Sequence, residues 1–386
     1  MLVLSRGALA SPAAQVLEHV RRGGVAMRED LVDSTELSPA TVSRAIAALI
    51  SARLLRPRPE MGRIGTAGRP SVPVQLEARC HAVVGIHVGI ARTVTALTDI
   101  GGRLLETVES PRPARQRDLW QHLVAQISAL HTTGRRVMSV GLVGAWTDLG
   151  VDGDELGRWL SAALGLEVTT ADHIAAAAAA EHAVGARGAD GPTVYVYARD
   201  AVGFAVAEET AVGTVVTRAS RLTHFPTGSQ VTCTCRAVGC LETTVGDRAI
   251  AVRAQAEGVV DVPDVAALHE AARAGSRPAR TLLRERAVVL GRAAAAVRDM
   301  VGNDRVVLIG QAFTASPHVR DAVLEGFEQA TTLPPVDVTF GHHGHNLQAA
   351  AASAVALVPF TDDPLALHAT ARADDGPCQP GRFRSA

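Results

Sequence analysis

Three of the five cysteines in this 386-residue chain fall within eight residues of one another. Cys233, Cys235 and Cys240 form a C-x-C-x4-C pattern, and His224 lies nine residues before the first of them. Three thiolates and one imidazole satisfy a tetrahedral Zn²⁺, and four protein ligands leave no open position, so the expected role is structural. A reactive thiol pair and buried free cysteines are the other readings of the same residues. Whichever holds, a stretch that must bring these side chains together has few backbone paths open to it. Cys80 and Cys378 stand alone and read as ordinary residues, and the total argues against a disulfide framework.

Hydrophobic residues make up 47% of the chain but aromatics only 3%, so a globular core must be filled by Ala, Val and Leu. No lysine is present, and all 38 basic residues are arginine. The net charge of −1 hides an asymmetry. Residues 1–75 hold ten arginines against six acids, a balance of +4 that leaves −5 for the rest. A basic head on an acidic body is expected where only the head meets nucleic acid. Arg6 interrupts the place of a signal-peptide apolar core, and no apolar run reaches the roughly 18 residues of a membrane span. The expected location is the cytoplasm, with no membrane partner.

The head, residues 1–78, shows three successive helical patterns. Ser11-Pro12 and Ser38-Pro39 each combine a capping hydroxyl with proline at the first helical position. The second pattern covers roughly 27–34, with Leu31 inward, and a short turn at 35–37 links it to the third. In the third, Val42, Ile46 and Leu49 form one buried stripe. Ser38, Thr41, Ser43 and Arg44 lie off that stripe near the helix N-terminus. This is helix-turn-helix spacing, and it puts small polar groups and one arginine where base edges can be reached in a major groove. Pro39 leaves the other N-terminal amides free to meet a phosphate. Short strands around a Gly- and Arg-bearing turn then make a wing, with Arg63 and Arg69 as phosphate or minor-groove contacts.

From residue 79 onward, strand patterns alternate with helix patterns. Strand–turn–strand–turn–strand over 81–108 is followed by a helix at about 117–131, and a long helix over 277–301 precedes a strand at 305–310. The alternation predicts an α/β body of two lobes, divided at 79–200 and 201–360. The residues after Pro359 lack periodicity, and 361–386 reads as a disordered tail.

A winged helix-turn-helix closing on Gly68-Arg69-Pro70, a strand pair ending Thr98-Asp99-Ile100-Gly101-Gly102 and the cysteine pattern together resemble the ROK family (repressors, open reading frames and kinases). The resemblance runs from about residue 12 to 358 and implies the actin-like ATPase fold. The family's zinc motif is matched at His224, the three cysteines, Gly239 and Glu242. It is not matched at Arg236, where the family has Gly, or at Thr223.

The resemblance also implies what is missing. The slot of the first phosphate loop, D-x-G-x-T in the family, reads His87-Val88-Gly89-Ile90-Ala91. Counting back from Glu181, Asp172 takes the family's Asn slot and His173 that of the catalytic Asp. The second phosphate loop becomes Arg199-Asp200-Ala201, and Arg221 replaces a sugar-binding Glu. The loop between Trp146 and Asp154 is shorter than the family norm. Phosphoryl transfer needs all of these parts, so no catalytic residues are expected. His224 and Glu242 remain as candidate ligand contacts, and Glu242 could equally only support the zinc loop.

Three readings follow. The first is a DNA-binding regulator, by family habit a repressor, whose body dimerises or forms a higher homo-oligomer, binds an inverted repeat, and senses a sugar-like effector. The second is a hexose kinase using ATP, with Asp172 as base. The third is a partner-binding scaffold.

Overall fold

The computed structural model describes residues 2–3, 11–61, 72–130, 135–185, 191–210 and 213–370. The wing arginines Arg63 and Arg69 lie outside the described residues. The chain divides into two compact units, one of residues 3–176, 210–213 and 348 onward, the other of 1–2, 177–209 and 214–347.

The head belongs to the first of these. Its helices are Pro12–Gly23, Arg28–Thr35 and Pro39–Ser51. Ser11 and Ser38 cap the outer two through their hydroxyls, which accept from Ala14 N and Thr41 N at 3.2 Å. Asp30 folds back to accept from the Met27 amide at 3.2 Å. Glu36 takes a left-handed conformation (φ 56°) in the short turn before the third helix. Val42, Ala45 and Leu49 are the fully buried stripe of that helix, and Ile46 is half-buried. Strands Val25–Ala26, Val74–Leu76 and Leu55–Pro57 complete a three-stranded antiparallel sheet in that order.

The same unit holds a five-stranded sheet in the order Leu104–Pro111, Arg92–Asp99, His81–Val88, Arg136–Gly144, Glu167–Asp172. The first three strands are antiparallel and the last two join in parallel. Helices Gln116–Leu130 and Gly153–Leu164 cover one face through Leu119, Leu123, Ile127, Leu156 and Leu160. Helix Leu347–Ala356 lies against the strands at Gly85 and Gly141, where an added Cβ would strike the backbone of Ala352, Ser353 or Ala356. That approach lets Thr98 Oγ1 meet Ser353 Oγ at 2.6 Å and Ser139 Oγ donate to the Ala356 carbonyl at 2.6 Å.

Residues 361–370 are not a disordered tail. Helices Val358–Asp362 and Pro364–Thr370 continue from the preceding helix, and Phe360 and Leu367 are buried. These two side chains join the head's Val16, Leu17, Leu31 and Leu49 and the sheet's Val83, Ile100 and Met138 in one continuous core. Ser11 N donates to the Asp362 carbonyl at 3.2 Å, which ties the first head helix to the C-terminal segment. The boundaries at 78 and 200 do not hold either. The head shares its core with the sheet, the chain passes to the other unit within helix His173–Gly185, and it returns after Leu347. The tail pattern is too short to show periodicity, and its burial comes from partners hundreds of residues earlier.

Cys80, expected to be an ordinary residue, is disulfide-bonded, whereas Cys233, Cys235 and Cys240 carry free thiols. A cysteine without near neighbours offers no spacing from which a bridge can be read. Cys378 lies outside the described residues.

The second unit centres on a six-stranded sheet ordered Leu2–Val3, Gly213–Arg221, Val202–Thr210, Thr193–Ala198, Arg305–Ile309, Asp337–Phe340. The pairings of Thr193–Ala198 with Arg305–Ile309, and of that strand with Asp337–Phe340, are parallel. The long helix Arg277–Val301 buries Leu282, Leu283, Ala287 and Leu290 in this unit's core. Among the described residues no helix is long and apolar enough to cross a membrane.

Candidate nucleic-acid interface and metal centre

The N-terminal turn of helix Pro39–Ser51 carries a chain of side-chain contacts. Ser38 Oγ, already accepting from the Thr41 amide, lies 2.9 Å from Thr41 Oγ1. Thr41 Oγ1 in turn accepts from the Arg44 guanidinium at 3.4 Å. Ser43 Oγ donates to the Pro39 carbonyl at 2.8 Å. Arg44 is exposed, and no described acid forms an ion pair with it. The four described residues expected on this face are therefore brought together. Arg44 extends outward, while the three hydroxyls are engaged with the helix or with one another. Arg28 reaches across from the preceding helix and donates to Ser43 Oγ at 3.4 Å. No local pattern marks it, because the contact spans 15 residues.

At the root of the wing, Arg56 donates to Gln75 Oε1 at 2.9 Å, and Arg58 reaches the same oxygen. Arg56 lies 3.9 Å from Glu77, and Arg58 pairs with Glu60. These two arginines are paired with acids, unlike Arg44, whose described contact is with the Thr41 hydroxyl.

The cysteine loop follows strand Gly213–Arg221. Isolated bridges Pro226–Cys240 and Thr232–Val238 fold it back on itself, and the Cys233 amide donates to the Ala237 carbonyl at 2.8 Å. The ligand atoms of His224, Cys233, Cys235 and Cys240 all lie within 4.8 Å of one another. Cys233 Sγ is 3.8 Å from His224 Nδ1, and Cys235 Sγ is 3.6 Å from Cys240 Sγ. Hydrogen bonding from Thr243 and from the Cys235 amide pushes the Cys233 thiol down to about 6. Burial and the two neighbouring thiols push Cys240 up to about 12. Three soft sulfurs and the imidazole nitrogen of the exposed His224 at this separation fit one tetrahedral cation of the zinc type.

The backbone of the loop accounts for the glycines of the family pattern, and nothing in the structure explains the arginine at 236. Arg236 sits at φ 73°, where glycine is unstrained. Gly239 keeps φ 81°, and a Cβ there would meet the Ser229 carbonyl at 2.7 Å.

Glu242 starts the short helix Leu241–Val245 beside this loop. Its Oε2 takes Arg221 at 2.5 Å and the Thr223 hydroxyl at 3.0 Å. The carboxylate expected to meet a sugar is thus paired with the arginine that stands in place of a second sugar-binding acid.

In the other unit, His87 and His173 are both buried, with ring centroids 6.4 Å apart. Asp172 Oδ1 accepts from the Ile174 and Ala175 amides at 2.9 and 3.3 Å, capping helix His173–Gly185. Asp172 Oδ2 lies 3.6 Å from His173 Nδ1. Trp146 fills the space over Gly144 and Gly153, and its indole N–H donates to the Ala171 carbonyl at 3.0 Å. Back in the unit that holds the cysteine loop, Arg199-Asp200-Ala201 closes as a tight turn, with Arg199 N donating to the Ala201 carbonyl at 3.0 Å. Burial, and then the charge of Asp247, raises the Asp200 carboxyl above its ordinary range.

Comparison with known proteins converges on one group. The ROK family model matches residues 83–359. Transcriptional regulators of Mycobacterium tuberculosis and Mycobacterium bovis are each 34% identical over 385 residues, covering 92% of this chain and 87% of theirs. A solved ROK family transcriptional regulator, a homologue of the E. coli MLC protein, superposes with a TM-score of 0.72 at 20% identity, over 93% of this chain and 98% of that one. A ROK family glucokinase from Streptomyces griseus, solved with glucose and AMPPNP, gives 0.61 at 19% identity over 71% and 99%.

Proposed function

Since the chain belongs to the ROK family, we propose that it is a sequence-specific DNA-binding transcription regulator, acting as a repressor, whose body no longer transfers phosphate. One observation carries this reading. The regulators at 34% identity match 92% of the chain, a share that residues 83 onward cannot supply, so the likeness includes the head. In that head, Arg44 stands exposed on the helix that helix-turn-helix geometry would send into the major groove.

Arg44 reads base edges, with Thr41 and Ser38 holding its position. Arg63 and Arg69 meet phosphate or the minor groove from the wing. The body forms a homodimer, or a higher oligomer, and sets the spacing of two heads on an inverted repeat. A sugar-like effector bound near His224 and Glu242 changes that spacing through its unequal affinity for the two arrangements. His224, Cys233, Cys235 and Cys240 hold one structural zinc. The protein works in the cytoplasm.

The kinase reading fares worse on chemistry. Histidines occupy both slots in which the family has carboxylates, and one oxygen of the nearby Asp172 is engaged in capping a helix. That leaves phosphoryl transfer without a carboxylate in either family slot, and with only the second oxygen of Asp172 beside them.

In vitro selection of duplex DNA with the full-length protein tests the proposal. A recurring inverted repeat is expected, with Arg44→Ala losing specific binding far more than nonspecific binding. No enriched sequence, or ATP-dependent phosphorylation of a hexose, would overturn it.

A further inference from the structure

Arg28 is the first residue of helix Arg28–Thr35, and its side chain is 52% exposed. Its guanidinium reaches the next helix. One nitrogen lies 3.4 Å from Ser43 Oγ on the exposed side of helix Pro39–Ser51, next to Arg44. Ser43 Oγ already gives its proton to the Pro39 carbonyl at 2.8 Å. Only its lone pairs remain, and those can accept from a guanidinium but cannot donate to a base. Ser43 is thus a seat for Arg28. The acid nearest to Arg28 is Glu29, at 3.7 Å and 55% exposed, a solvent-screened pair that holds the arginine weakly.

A duplex that takes helix Pro39–Ser51 into its major groove N-terminus first carries its sugar-phosphate backbone along both sides of the helix. A cation approaching that helix from the neighbouring one sits at the groove's edge and not over its floor. We propose that Arg28 is a second DNA-contacting arginine, which clamps a backbone phosphate beside the groove, and that Ser43 is its positioning residue. This rests on the regulator reading and adds to it a division of labour. Arg44 reads sequence, whereas Arg28 supplies affinity and register without sequence.

The test compares full-length wild type, Arg28→Ala, Arg28→Lys, Ser43→Ala and the Arg28→Ala/Ser43→Ala pair. Each is titrated on the duplex recovered by selection and on a random-sequence duplex, over about 50 to 200 mM salt. Circular dichroism and melting of each variant establish that the fold is kept, as the exposure of Arg28 leads one to expect. Arg28→Ala is expected to weaken binding to both duplexes by about tenfold, to leave their ratio unchanged, and to lower the salt slope by about one. Arg28→Lys should restore most of that slope. Ser43→Ala should weaken binding less, and the double variant should match Arg28→Ala alone, because the seat has no value without its occupant. Unchanged affinity and slope in Arg28→Ala overturn the assignment. So does a loss confined to the selected duplex, which would make Arg28 a base reader, and so does full additivity of the two substitutions. Failure of the wild-type protein to bind either duplex overturns the regulator reading itself, and is told apart by appearing before any variant is made.

Discussion

The cysteine loop and the head meet the same difficulty in opposite ways. The loop at 224–240 has little apolar material, since Val231 and Val238 are both exposed. It gathers four side chains that could hold a metal ion, all drawn from its own short stretch. The head is small for a self-sufficient core, and its apolar residues continue into those of the five-stranded sheet and of two helices from the far end of the chain. One structure is closed by chemistry that is local in sequence, and the other by packing that is not. A local closure can be removed without consequence elsewhere, whereas a shared core transmits damage.

The largest expected effect breaks the loop alone. Cys235→Ser should drop zinc, by elemental analysis, from about one per chain to background, because sites of this type owe their order to the metal. Hydrogen exchange should rise over 224–240 while the head keeps its protection. Full zinc in this variant would remove Cys235 from the ligand set.

Next comes the shared core. Phe360→Ala, at a residue only 5% exposed and some 300 positions from the head, should cost about 3–5 kcal/mol of stability. The loss should appear in the head's own hydrogen-exchange protection and in weaker DNA binding. A head that keeps its protection would show that it folds independently of the C-terminal helices.

The junction should also respond to acid. His81 begins a sheet strand and stacks edge-on against His368 of the last helix, with ring centroids 5.5 Å apart. Burial, then His368, Arg136 and Arg53 facing it, pushes the imidazole down to about 4 from 6.5. Between those two values the unfolded chain binds the proton and the folded one does not. Stability is therefore fully present above pH 6.5 and falls as pH drops toward 4, by about 3 kcal/mol. His81→Leu should flatten that slope as measured by denaturant titration. His269, brought down to about 4 mainly by burial and then by Arg286, gives the same sign in the other unit, so an unchanged slope would assign the acid response there.

The smallest effect returns to the loop. Arg236→Gly should relieve a left-handed non-glycine residue and raise the thermal stability of the zinc-loaded loop by about 1 kcal/mol. Destabilisation instead would mean that the arginine side chain makes up for its backbone strain.

Much of this was legible from residue patterns. The Ser-Pro starts place both outer head helices, since a capping hydroxyl and a fixed φ act within one turn. The long helix Arg277–Val301 begins and ends where its pattern does. The C-x-C-x4-C spacing finds side chains that the fold brings together, because two isolated bridges turn the loop back on itself. Other elements gave no such signal. Strand Glu167–Asp172 has four half-buried residues and no clear alternation. Helix Leu347–Ala356 is alanine-rich all round, and its burial depends on the missing Cβ atoms of Gly85 and Gly141.

What the sequence determined by itself, then, is whatever rests on interactions within a few residues: caps, turns and the cysteine cluster. Tertiary structure alone decided that Arg28 meets Ser43, that Arg221 neutralises Glu242, and that Phe360 and Leu367 complete the head's core. Each of these joins side chains that no periodicity relates. Such contacts are set by how the sheets and helices pack, and packing is a property of the whole chain.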